Sequence, residues 1–350
     1  MAQVVQFNAP RDVTLVECPS QGLIPDAVRV RTWYSGISAG TELTAYRGTN
    51  PYLTKEWDAD ARLFSEGEPT FAYPVAGWGY SEMGEVIEVG DNVEDVSVGD
   101  LVYGIWGHRS DAVVPASMVR GRTLDRPEDG LKGTFARVGA IALNAVLAAD
   151  VRLGDNVVVF GQGVIGLLAT RLASLAGARV IGVDGLESRL QVAGEFGAAD
   201  VVPATVPSGA GATVRGLTGG AGADSAIELS GSYRALHEAT RSVVVEGTVV
   251  ASGFYQGGAR DLRLGEEFHH NRVRIVASQI SGTPLALGAR WDQRRLVTVF
   301  MEQVLAGRVD VTRLVTDLVD AQDVSAAFER LDAGDPEVLQ AVLRFDAAPR

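Results

Sequence analysis

One cysteine, Cys18, occurs among 350 residues. A disulfide within the chain is therefore excluded, and so is a zinc site built from four cysteines. Basic residues are also in short supply: 31 Lys and Arg stand against 44 Asp and Glu, a net charge of −13. A nucleic-acid partner needs a basic surface, so that class is excluded, and the acidic excess reads as a solubility charge. No run approaches the roughly 18 apolar residues of a membrane span, so no membrane partner is expected. The opening segment, MAQVVQFNAPRDV, has no basic stretch followed by an apolar one. No secretory signal is expected from it, and the cytoplasm is the expected location.

What is present is ordinary for a globular protein: 46% hydrophobic and 21% charged residues, enough for about two domains at roughly 150 residues each. Residues 1–110 are rich in strand patterns, among them VRVRTWYSGI (28–37), MGEVIEVG (83–90) and DLVYGIW (100–106). Between the first two lies an irregular, aromatic and acidic segment, 48–74, of a length that suits function more than linkage. From about 135 the pattern changes. A helix is expected over 139–151, and short apolar strands then alternate with helices, which implies a parallel sheet covered on both faces. Helices near 291–306 and 321–333 and a strand at 338–345 close the chain.

The strand NVVVF runs straight into Gly161-Gln162-Gly163-Val164-Ile165-Gly166, a G-x-G-x-x-G turn that opens a helix. The first glycine permits the turn, the second lets backbone approach a pyrophosphate, and the third lets helix pack on strand; the helix N-terminus supplies amide donors. Alone the motif is weak. Here the next strand, ARVIGVD, ends on Asp184, whose carboxylate can accept both ribose hydroxyls and would repel a 2′-phosphate. NAD is therefore favoured over NADP, although Arg189, five residues on, is placed to face a phosphate. The competing reading of Asp184 is a solvated turn acid.

Together with SGISAGTEL (35–43), MGEVIEVG, VGDLVYG (98–104), GQGVIGLLA (161–169), TGGAGADSAIELSG (218–231) and FHHNRVRIVASQ (268–279), these residues resemble the medium-chain dehydrogenase/reductase family of alcohol and polyol dehydrogenases. The resemblance covers nearly the whole chain. It implies a GroES-like, β-rich catalytic domain (1–145), a Rossmann domain with a doubly wound parallel sheet (146–290) and a C-terminal return to the catalytic domain (291–350). It also implies a homodimer or homotetramer. Ser230, Gly253, Phe254 and Ser278 join the glycine turn as expected cofactor-binding residues, the later ones through backbone that holds the nicotinamide amide.

The departures from the family concern its metal. The catalytic Cys of G-I-C-G-T-D is replaced in Gly36-Ile37-Ser38-Ala39-Gly40-Thr41-Glu42, which also carries one extra residue. The G-H-E ahead of the G-E-V strand becomes Gly79-Tyr80-Ser81, and Arg137 aligns with the third ligand. Zinc needs about three Cys, His or carboxylate ligands, so no zinc is expected. In its place the sequence suggests Tyr80, Thr41 and Glu42 around the substrate oxygen, with Glu42 an unpaired base. Arg137 either stabilises developing charge or plugs the site as an ion pair with Glu42. Where the resemblance expects a relay histidine stands Thr44. Trp106 is expected as a pocket wall. His108 beside it is either structural or a proton carrier, and Tyr52 and Trp57 either cap a sugar ring or simply pack. His269 and His270 read as structural.

These features imply reversible hydride transfer between NAD and a secondary alcohol of a sugar, cyclitol or polyol. Reduction of an activated alkene or quinone is the alternative chemistry, and a cofactor-binding protein without catalysis is the alternative class.

Overall fold

The computed structural model describes residues 1–348. The chain divides into two units, one of Met1–Arg137 resumed from Val311 and one of Val138–Asp310. The divisions at 145 and 290 expected from sequence are thus displaced, for a packing reason. Gly139, in the helix Ala136–Ala148, faces Phe300 of the helix Gln293–Leu305, so closely that a Cβ at 139 would lie 2.0 Å from the ring. Phe300 is fully buried there, which makes the late helix part of the middle unit's core.

In the first unit the strand Ala27–Gly36 is the spine. It pairs antiparallel with Glu82–Val89, with Asp111–Pro115 and with the returning strand Gln340–Arg344. Register sets Ser35 opposite Glu82. After two intervening residues, Ile37 and Ser38, begins the helix Ala39–Arg47, with Ser38 extended at its N-cap and Gly48 left-handed at its C-cap. Its apolar face, Leu43, Ala45 and Tyr46, packs with Val5, Phe7, Phe328 and Leu343.

The segment 48–74 is less irregular than its composition suggests. Glu56–Asp58 and Leu63–Ser65 form a small hairpin with Trp57 opposite Phe64. Tyr52 meets the rings of Trp57, Phe64 and Phe71; Phe71 meets Trp78, and Trp78 meets Phe7 in the core. The aromatics that made the segment look like a binding loop are what anchor it.

In the second unit, among the described residues, six parallel strands stand in the order Ala198–Pro203, Arg179–Asp184, Asn156–Phe160, Ala223–Glu228, Val243–Ala251, Arg274–Ala277. The chain order is thus 3-2-1-4-5-6, the Rossmann arrangement. Val157, Val158, Val159, Ile181 and Ile227 are wholly buried, because helices cover both faces and leave no polar side to alternate. Among the described residues no single helix is long and apolar enough to cross a membrane.

Candidate active site

The glycine-rich turn has the geometry its motif requires. Gly161 has φ +85, and a Cβ on Gly166 would fall 1.7 Å from the Gly161 carbonyl oxygen, so neither position accepts a side chain. Gly163 is different: a Cβ there would meet nothing closer than Arg189 Nη1 at 4.0 Å. It is the N-cap of the helix Val164–Leu175, which no side chain caps, so the first-turn amides at Val164 and Ile165 are presented to a ligand. Gln162 turns its side chain inward, donating to the Val159 carbonyl and accepting from Thr170, and offers the turn only its backbone.

Asp184 is not a solvated turn acid: it is 9% exposed and accepts from the amides of Gln162 (2.6 Å) and Leu186 (2.9 Å). Each oxygen keeps a second lone pair for a hydroxyl. The buried Nε of Arg189 has no acceptor.

At the ends of the neighbouring strands, Glu228 gathers the loops. Its carboxylate accepts from the amide and hydroxyl of Ser230, from the Gly231 amide and from the Tyr255 hydroxyl, while its carbonyl accepts from Ser252 and Gly253. Burial pushes the Glu228 carboxyl above its ordinary value, against those donors. Ser278 is 6% exposed, with its hydroxyl bonded to Ser252 and its carbonyl accepting from Asn144; Phe254 is 41% exposed. Sequence reasoning missed Glu228, whose signal was an acid at the end of the strand Ala223–Glu228, directly after the apolar pair Ala226 and Ile227. A dinucleotide fits this constellation of open turn, uncapped helix and carboxylate.

In the first unit, Tyr80 and Thr41 of the expected trio come together, joined by Ser38 rather than by Glu42. The half-buried Tyr80 hydroxyl donates to Thr41 Oγ1 at 3.3 Å and is bonded to the Ser38 hydroxyl. Burial raises its pKa, the hydrogen bonds with Ser38 and Thr41 oppose that, and the nearby charges of Glu42 and Arg137 act in opposite directions. Arg137 is itself lowered by burial. Thr44 turns away, its hydroxyl donating to the Thr41 carbonyl.

Glu42 does not join them as a free base. It is 0% exposed, accepts from the Ser38 amide at 2.9 Å and meets His108 Nε2 at 2.7 Å. The ion pair weighed for Glu42 is thus made with His108, while the charge of Arg137 couples to Tyr80. His108, likewise 0% exposed, is no substrate contact. Burial lowers its pKa, but Glu42, by charge and hydrogen bond, and Glu82 carry it above the ordinary value. Trp106 is core rather than pocket wall: it packs with Val28, Val86 and Val102, its indole donates to Thr32, and its amide donates to Glu82. Trp57 has its faces taken by Tyr52 and Phe64.

The positions at which the resemblance places zinc ligands therefore hold two hydroxyls and a guanidinium. An Arg side chain cannot ligate a metal, and neutral hydroxyls are poor zinc donors, so this donor set does not fit zinc. Among the described residues His237, Glu266 and Glu267 have metal-ligand spacing, with the carboxylates paired to Arg263 and Arg241.

A Rossmann sheet bearing a glycine-rich turn, in a chain whose other unit is a β-rich sheet with a buried polar cluster, defines a dinucleotide-binding dehydrogenase architecture. The comparisons agree. Residues 164–291 match the family described as zinc-binding dehydrogenase. D-guloside 3-dehydrogenase of Shigella flexneri is 30% identical over 319 residues, 89% of this chain and 91% of that protein. Sorbitol dehydrogenase 1 of Saccharomyces cerevisiae is 28% identical over 76% of this chain and 80% of its own length. The crystal structure of 2R,3R-butanediol dehydrogenase from Bacillus subtilis superposes with a TM-score of 0.78 at 22% identity, covering 98% of this chain and 99% of that one. The chain belongs to the medium-chain dehydrogenase/reductase family of alcohol and polyol dehydrogenases.

Proposed function

We propose that this protein is an NAD-dependent dehydrogenase that oxidises a secondary alcohol of a sugar derivative or polyol without zinc, exchanging the hydroxyl proton with Tyr80. The observation that carries the reading is the Tyr80 hydroxyl, held by Ser38 and Thr41 and coupled to the charge of Arg137, where the family's metal ligands are expected. The names of the sugar and polyol dehydrogenases among its relatives support the substrate class. The carboxylate of Asp184 supports NAD over NADP.

When bound, NAD supplies the hydride acceptor. Tyr80, as phenolate, accepts the hydroxyl proton of the alcohol, and as phenol returns it to the carbonyl oxygen in the reverse direction. Ser38 donates to the phenolic oxygen, and Arg137 stabilises its negative charge without a proton of its own to give.

The test is a panel of glycosides, sugars, polyols and simple enones with NAD and NADP, followed at the NADH absorbance beside a metal analysis. The expected result is turnover of a polyhydroxylated substrate with NAD, unaffected by chelators. Tyr80→Phe should lower kcat/KM by roughly 10²- to 10⁴-fold. Stoichiometric zinc with chelator-sensitive activity would sink the metal-free mechanism, and an undiminished Tyr80→Phe rate would remove Tyr80 from it.

A further inference from the structure

Three ionisable side chains of the first unit, Glu42, Glu82 and His108, are buried to 0% exposure. Charges so placed are costly unless paired and hydrogen-bonded: Glu42 is paired with His108, and Glu82 is held by hydrogen bonds from Ser35, Ser81 and Trp106 while burial raises its pKa. His108 Nε2 meets Glu42 Oε2 at 2.7 Å. Its other nitrogen, Nδ1, lies 2.5 Å from Ser35 Oγ, whose single proton is directed to Glu82 Oε1 at 3.2 Å. When that proton goes to Glu82, Nδ1 donates to Ser35 while Nε2 donates to the carboxylate it faces, the arrangement that the raised pKa of the ring supports. Two N–H donors make the ring an imidazolium. The second oxygen of Glu82 is occupied by the Trp106 amide at 2.7 Å.

Two sets of contacts run from this ring to the Tyr80 hydroxyl. Through Glu42, the ring holds the Ser38 amide at 2.9 Å and so fixes the first turn of the helix that presents the Ser38 hydroxyl to Tyr80. Gly79, the residue before Tyr80, lies directly against the imidazole. At its φ of +135 a Cβ would stand 2.9 Å from Cε1 and 3.0 Å from both Cδ2 and Nδ1. The His108 amide also donates to the Trp78 carbonyl at 3.3 Å.

We propose that His108 is a positioning residue for the proton-exchanging hydroxyl: a buried imidazolium, held by Ser35 and Glu82, that sets Ser38 through Glu42 and Tyr80 through Gly79. This rests on the reading that Tyr80 exchanges the substrate proton. His108 touches neither substrate nor cofactor. Its charge also offsets that of Glu42, which otherwise disfavours the phenolate.

Two amide substitutions separate positioning from bulk support. His108→Gln keeps a donor within reach of Glu42, whereas His108→Asn keeps one only on the Ser35 side. Oxidation is measured with NAD from pH 7 to 10, together with the KM for NAD and the melting temperature. His108→Asn should lower kcat about tenfold or more and move the alkaline rise in rate to higher pH. His108→Gln should restore most of kcat, and KM for NAD should hold in both. Equal kcat losses that follow the loss of melting temperature, or wild-type behaviour in His108→Asn, would overturn the proposal.

Tyr80→Phe is run beside them. Full turnover there sinks the proton-exchange reading, whereas lost turnover there with a normal His108→Asn sinks the positioning role alone. Should neither amide variant fold, the imidazole ¹⁵N spectrum of the wild-type protein decides. One of its four histidines should carry protons on both ring nitrogens, unchanged from pH 6 to 9, as against four that titrate as ordinary imidazoles.

Discussion

Tyr80 sits in an environment that holds its proton. Burial raises its pKa above the ordinary value of 10, and the hydrogen bonds to Ser38 and Thr41 and the charge of Arg137 do not reverse the direction. The consequence has a definite sign. Oxidation needs the phenolate, so its kcat should climb by about tenfold per pH unit from pH 7 towards 10 with no plateau below the phenol's pKa. Carbonyl reduction needs the phenol and should stay flat over the same range. A pH profile taken in both directions checks this, and a plateau in oxidation near neutral pH would mean that another group takes the proton. Legibility divides at this scale as well. Tyr80, Ser38 and Thr41 could be read from sequence because they occupy motif positions. Glu42 was read either as an unpaired base or as the partner of Arg137, because its actual partner, His108, lies 66 residues away.

Among the elements, the 48–74 segment is the one whose role folding decided. Its aromatics could either cap a ligand or pack, and they pack: Tyr52 is in contact with three other rings, and the chain of rings continues through Phe71 and Trp78 to Phe7. Aromatic pairs of this kind contribute roughly 0.5–1.5 kcal/mol each. Tyr52→Ala should therefore loosen the hairpin by about 2 kcal/mol, seen as faster proteolysis between Trp57 and Phe64, with little change in global melting. A variant as protease-resistant as the wild type would show that the ring contacts do not hold the hairpin. The start of the helix Ala39–Arg47 was not read from the sequence, and its orientation depends on Glu42 reaching back to the Ser38 amide, an acid at a helix N-terminus that also suits the dipole.

For the whole molecule, the six-stranded sheet ends on Arg274–Ala277, a strand with a free edge and an exposed Val276 (36%). An unpaired edge is a template for another strand, which supports the dimeric or tetrameric assembly that the family resemblance implies. We expect light scattering with size-exclusion chromatography to report a multiple of the 36.9 kDa chain mass. Val276→Lys, which puts a charge on the exposed edge strand, should shift the protein towards monomer; a wild-type monomer would discard this assembly. Legibility at this scale was uneven. Alternating strands and helices announced the Rossmann sheet, whereas the division of the chain at Arg137 and Val311 turned on the packing of Phe300 over Gly139.

Sequence by itself determined the glycine-rich turn, the strands beside it, the carboxylate of Asp184 and the family, because turn geometry and strand burial depend on residues a few positions apart. Only the tertiary structure decided that Trp106 is core, that the loop aromatics anchor one another, and that Glu42 belongs to His108. Those outcomes rest on contacts such as Ser35 with His108, 73 residues apart. Which buried polar group finds a partner is fixed by sheet register and by the desolvation cost of leaving it without one, and no local pattern encodes either.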